Sequence, residues 1–125
     1  MTETELNEMF DAFNRHDIEA VQTYFHDDVV FDTVAGPEAH GTRIVGKQAV
    51  MAQFEATWGT MPDVQWINGK HYFAQDRIVS ESTFVATQPD GYRHHADSVD
   101  LFTLRDGKII RKQAFRKQRP LLDPV

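Results

Sequence analysis

Apolar residues recur at helical spacing through the first 25 positions and again after Gly46, and at strand-like alternation from Val64 onward. Thr2 and Glu5 fit a capping box that opens a helix carrying Leu6, Met9, Phe10 and Phe13. Asn14-Arg15-His16 interrupts it, and Asp17 caps a second short helix with Ile18, Val21, Tyr24 and Phe25. His26-Asp27-Asp28 ends that helix, and Val29-Val30-Phe31 reads as a short strand. Residues 33–46, with Gly36-Pro37, Gly41 and Gly46, form the longest irregular stretch, a candidate rim or lid. Lys47 to Trp58 is a third helix with Val50, Met51, Phe54 and Trp58 as its buried stripe, closed by Gly59 and Pro62.

The remainder reads as strands. Val64–Ile67 and Lys70–Ala74 flank Asn68-Gly69, a tight turn or a bulge. Arg77–Gln88, Tyr92–Leu104 and Lys108–Lys117 follow, separated by Pro89-Asp90-Gly91 and by Asp106-Gly107, a strong hairpin signal. Helices first and an antiparallel meander afterwards define an α+β class: three N-terminal helices packed on a curved sheet, with room for a cavity beneath them.

Length and composition fit one domain over residues 1–125, with 41% hydrophobic and 26% charged residues. The chain has no cysteine, which excludes disulfides and thiolate metal sites. The acidic start Met-Thr-Glu-Thr-Glu-Leu does not look like a secretory signal, and no apolar run is long enough to span a membrane, so a soluble, cytoplasmic protein is expected. A net charge of −6 argues against nucleic acid as a partner. The charge is uneven: Lys108 to Arg119 holds six Lys or Arg and no acid, most simply a solvated face or a protected edge.

Three segments resemble a known family in order and spacing. They are Asn14-Arg15-His16-Asp17-Ile18-Glu19-Ala20 with Phe25-His26-Asp27-Asp28-Val29-Val30-Phe31, then Ile44-Val45-Gly46-Lys47-Gln48-Ala49-Val50, and finally Val99-Asp100-Leu101-Phe102 with Arg105-Asp106-Gly107-Lys108-Ile109. Together they resemble NTF2-like domains of the SnoaL-like type, relatives of ketosteroid isomerase and polyketide cyclases. The resemblance implies an NTF2-like (cystatin-like) cone that often forms homodimers, here through a face offering His95, Val99, Leu101, Phe84 and Phe115. It fixes no single activity, because one fold hosts many.

Resemblance to the isomerase implies that Asp100 is a pocket aspartate, the one that stays protonated and donates to an oxyanion. Alternation along its strand puts His94, Ala96, Ser98, Phe102 and Leu104 on the same face. The isomerase's other parts do not carry over. Its oxyanion tyrosine falls at Met9 and its general base at Thr33, with Asp32 one residue earlier. A one-residue offset reverses a strand side chain, although the longer loop that follows leaves room for Asp32 to return to the pocket mouth.

Glu81, Thr83, Val85 and Thr87 share the face that resembles the isomerase pocket wall. Glu81 there would pair with Asp100 as donor and acceptor; the bland alternative is a cross-strand salt bridge. Ile110, Lys112, Ala114 and Arg116 share pocket-side parity on the last strand, where Lys112 and Arg116 would neutralise acids or hold an anion. Arg43 and His40 lie in the long loop, near a pocket mouth or simply solvated. Trp58, Trp66, Phe54 and Phe73 read as core, with one or two as cavity wall.

The candidate catalytic set is therefore Asp100, Asp32 and Glu81, and the candidate binding set is Arg43, Lys112, Arg116, Phe102 and Trp58. No metal is expected, since His94 and His95 point to opposite faces, and no cofactor is implied. Three functions compete: cofactor-free acid–base chemistry on a small organic molecule, binding of a small molecule or anion without turnover, and a dimeric assembly module with a vestigial pocket.

Overall fold

A computed structural model describes all residues 1–125. Its elements are α1 (Glu3–Asn14), α2 (Ile18–Gln22), β1 (Phe25–Asp32), β2 (Arg43–Val45), α3 (Lys47–Thr60), β3 (Gln65–Ala74), β4 (Arg77–Thr87), β5 (Arg93–Arg105) and β6 (Lys108–Arg116). The strands form one sheet in the order β2-β1-β6-β5-β4-β3. The α+β architecture and the three helices match the expectation. The sheet is not wholly antiparallel, however, because β1 runs parallel to β6.

Local chemistry accounts for the element ends. Thr2 Oγ1 accepts from Glu5 N at 3.1 Å while Glu5 Oε1 accepts from Thr2 N at 3.3 Å, a complete capping box. His16 ends the first helical stretch in the left-handed region at φ 60° and stacks on Trp58, with ring centroids 5.0 Å apart. The second helix stops at Gln22, so Tyr24 lies beyond it and Phe25 opens β1 rather than closing the helix. Asp106 (φ 53°) and Gly107 (φ 73°) both take positive φ, as a two-residue turn between twisted strands requires. Asn68-Gly69 is a bulge inside one long strand, for the β3–β4 register shifts between Ile67 and Lys70.

The inner face of the sheet is fixed by register. Phe102, Asp100, Ser98 and Ala96 on β5 face Ile78, Ser80, Ser82 and Phe84 on β4, and all eight are buried. Glu81 lies on the other face, exposed, between Lys70 and Val99. The pocket-wall parity expected for β4 is thus reversed, and Phe84 points inward rather than toward a dimer face. On β6 a shift next to the hairpin pairs Leu104 with Ile109 and Thr103 with Arg111. Ile109 is fully buried and takes the inner place expected for Ile110. Helices and inner sheet face share one core of Leu6, Met9, Phe13, Phe25, Phe54, Trp58, Ile78 and Phe102 among others.

Candidate functional site

Three inward side chains of β5 and β6 meet beneath the helices. Lys112 Nζ donates to Asp100 Oδ1 at 2.8 Å, and both side chains are almost wholly buried, at 8% and 5% exposure. The register places Phe102 opposite Lys112, Ala114 opposite Asp100, and Arg116 opposite Ser98. The ammonium of Lys112 also lies 5.2–5.9 Å from the ring centroids of Phe31, Phe102, Phe13 and Phe54, so aromatic faces surround whatever the carboxylate leaves open.

Above this pair is a cavity of about 220 Å³. Phe13, Phe31, Phe54, Trp66 and Phe84 give it apolar walls, while Gln53 and Thr57 of α3, Thr33, Ser98 and Arg116 supply polar edges. Arg116 rests its guanidinium 3.5 Å from the centre of the Phe84 ring, and its Nε is buried without a partner. Burial lowers the proton affinity of Arg116, and the nearby Asp100 carboxylate acts in the opposite sense. A void of about 10 Å³ lies on the other side of the pair, against Met9, Phe10 and Phe102.

Of the predicted site residues, the structure brings Asp100, Lys112 and Arg116 together. Phe102 adjoins the pair from the deep side but does not line the main cavity. Trp58 is core, packed on Phe13 at 5.2 Å and on His16. Asp32 is buried on the outer face, because Phe31 and Thr33 on either side of it face the cavity. Arg43 Nε and Nη2 donate to its two oxygens at 2.8 and 3.1 Å, and Arg111 Nη2 donates at 3.1 Å. Those two guanidiniums, Arg43 foremost, hold the Asp32 carboxyl below the usual carboxylate range.

Arg43 is therefore a partner of Asp32 and does not reach the cavity mouth, nor does His40. The loop turns back on itself instead, with Thr33 Oγ1 donating to Ala35 O at 2.8 Å and accepting from Thr42 N at 3.2 Å. Glu81 points to solvent and makes no pair with Asp100.

Sequence reasoning missed a second polar couple beside the pair. His71 on β3 hydrogen-bonds Ser80 Oγ through Nδ1 at 2.8 Å, and Ser80 is the cross-strand neighbour of Asp100. Burial lowers the pKa of His71, with Glu3 acting in the opposite sense. A serine facing an aspartate across two inner strands was the available signal, but it required the correct β4 parity.

The sequence profile of the SnoaL-like domain matches residues 6–112. Among solved structures, a candidate polyketide cyclase from Xanthomonas campestris pv. campestris superposes with a TM-score of 0.79 at 20% identity, covering 91% of this chain and 88% of that one. A hypothetical protein from Catenulispora acidiphila with a ketosteroid isomerase-like fold, in complex with trimethylamine, gives 0.76 at 18% identity over 92% and 86%. TerC co-crystallised with polyporic acid gives 0.75 at 22% identity over 91% and 89%. At these identities the likeness is one of fold. No curated protein matches the chain in sequence.

Proposed function

The chain belongs to the SnoaL-like domain family, and on that premise we propose that its inner cavity takes a small carbonyl-bearing organic molecule and moves a proton on it without a cofactor, in the manner of an isomerase, cyclase or dehydratase. The observation that carries this reading is the Asp100–Lys112 pair at the floor of an aromatic-walled cavity. With an ammonium as its hydrogen-bond donor, the Asp100 carboxylate is an acceptor. It takes the base's part, not the donor's part that resemblance to the isomerase implies. Removing a proton beside a carbonyl leaves negative charge on oxygen, and Lys112 and Arg116 are the cations in reach to stabilise it. Aromatic walls strengthen that stabilisation by keeping water out.

The relatives crystallised with trimethylamine and with polyporic acid support a small organic molecule as the occupant. A second reading, binding without turnover, is favoured by one fact: Asp100 is the only carboxylate lining the cavity, and Lys112 already engages it. The homodimer expected from the resemblance belongs to the same proposal, formed on the outer sheet face where Phe115 is half exposed beside Val99. Sedimentation equilibrium that returns a monomer at all concentrations removes that part.

The experiment is solvent deuterium exchange, followed by NMR, over a panel of aryl ketones and keto acids. Wild-type protein should accelerate exchange at the carbon next to the carbonyl for at least one compound, and Asp100→Asn should not. If compounds bind with ring-proton shifts at Phe54 and Trp66 but none exchanges, the binding reading replaces the enzymatic one.

A further inference from the structure

The six basic residues between Lys108 and Arg119 are sorted by the fold. Lys108 donates to Thr23 O, Arg111 serves Asp32, and Lys112 serves Asp100. Arg116, Lys117 and Arg119 remain, and none of the three enters an ion pair. They come together where the tail turns back along β5. Lys117 N donates to Asp97 O at 2.9 Å, Arg119 Nη1 donates to His95 O at 3.2 Å, and Arg93 and Leu122 exchange backbone hydrogen bonds at 3.0 and 2.9 Å.

Between this tail, β5 and Val34 lies a groove of about 440 Å³. His94, His95, Arg116, Lys117 and Arg119 line it, and no Asp or Glu does. Three unpaired cations along one groove repel one another, and this is a chain of net charge −6. An anion relieves that repulsion. Arg116 and Val34 line both this groove and the inner cavity, so the groove adjoins the cavity as a vestibule, while Arg116 and Lys117 also border an outer-face groove that holds Glu81 and Asp97. Arg116 stands at the junction with its Nε unpartnered.

We infer that the vestibule is an anion subsite, and that the ligand of the inner cavity is an elongated molecule whose apolar end enters the aromatic walls while its anionic end reaches Arg116, Lys117 and Arg119. The inference rests on the reading of the inner cavity as a small-molecule site, and adds the ligand's length and charge. Arg116 lies four residue steps along the strand from Lys112, a rise of about 13 Å. A single flat ring does not cover that span, whereas a ring carrying a charged chain does.

The test compares 4-phenylbutyrate with (2-phenylethyl)malonate, two molecules that differ by one carboxylate at the end remote from the ring. Isothermal titration calorimetry at low salt should give (2-phenylethyl)malonate an affinity about tenfold higher, the effect of about 1.4 kcal/mol from one added charge pair near the surface. In the Lys117→Gln/Arg119→Gln variant the two affinities should converge. Lys117→Gln alone, which breaks no hydrogen bond of the tail side chains, should bring the ratio to about threefold by the same conversion. Equal affinities in the wild type, or a tenfold ratio that survives the double substitution, overturn this inference alone. Binding of neither compound overturns it together with the cavity reading beneath it.

Discussion

Arg111 and Lys112 are neighbours in sequence, yet each closes a different buried carboxylate on a different face of the sheet. On the outer face Asp32 is held by two guanidiniums that use both its oxygens. On the inner face Asp100 has one partner on one oxygen and a cavity above it. The outer cluster is closed: it ties β2 to β1 and β1 to β6, at the edge where the pairing is short and partly parallel. The inner pair is open and leaves capacity for another molecule. The contrast teaches that burial and pairing alone do not mark a site; an unfilled oxygen facing a cavity does.

The largest expected effect breaks the contrast at its inner end. If Asp100 is the proton acceptor, Asp100→Asn should reduce turnover about 100-fold or more, the scale of losing a positioned base. Asp32→Asn should reduce it by far less, because Asp32 touches neither the cavity nor its lining cations. Rate measurements on the compound that exchanges deuterium would show both. Equal losses in the two variants would mean that the inner carboxylate acts only through stability.

Stability separates the two regions next. Lys112→Met leaves Asp100 buried with no hydrogen-bonded cation and should cost about 3 kcal/mol, whereas Asp100→Asn/Lys112→Met together should recover most of that loss. Urea unfolding with a double-mutant cycle measures the coupling. A fully additive cycle would show that the pair does not function as a unit.

Much of this contrast was legible in the sequence on β5 and β6, and little of it elsewhere. The inward run of Ala96, Ser98, Asp100 and Phe102 followed from simple alternation, as did Lys112, Ala114 and Arg116. The resemblance misled on β4, where Ser80 and Ser82 stand in the inner row and Val79 and Val85 in the outer row. Two serines among Ile78, Phe84 and Ala86 inside, and two valines among Glu81, Thr83 and Thr87 outside, blur the contrast between the faces, and only pairing with β5 resolves it. The parallel β1–β6 contact joins residues 81 to 84 positions apart in sequence, and no local signal announces it. Nor did β2, three residues long inside a Gly-rich loop, carry enough pattern to be seen. Asp32 was legible as displaced by one residue, but its arginine partners come from that unseen strand and from the far face of β6.

Acid should disturb the outer cluster in a defined window. The folded-state pKa of Asp32 is depressed, so its contribution is fully present above the unfolded value of about 3.9 and is lost as pH falls through the lower folded value. Stability measured from pH 6 down to pH 2.5 should therefore fall less steeply below about pH 4 in Asp32→Asn than in the wild type. Arg43→Gln should move the wild-type curve part of the way, since Arg43 is the foremost cause of the depression. Identical acid limbs in wild type and Asp32→Asn would detach Asp32 from the acid response.

The smallest expected effect falls on Glu81. Resemblance placed it on the pocket wall beside Asp100, but the register of β4 turns it to solvent opposite Lys70 and Val99. Surface substitutions away from special contacts stay within about 0.5 kcal/mol, so Glu81→Gln should leave unfolding unchanged to that precision and should not alter deuterium exchange. Ser82→Asp is its informative counterpart. Ser82 is buried beside Ser98, with their hydroxyls 2.9 Å apart, so a carboxylate there enters the same inner face as Asp100. That change should destabilise the fold where Glu81→Gln does not. If Glu81→Gln instead slowed exchange as much as Asp100→Asn, the reversed parity of β4 would have to be wrong, and the inner site would hold two carboxylates after all.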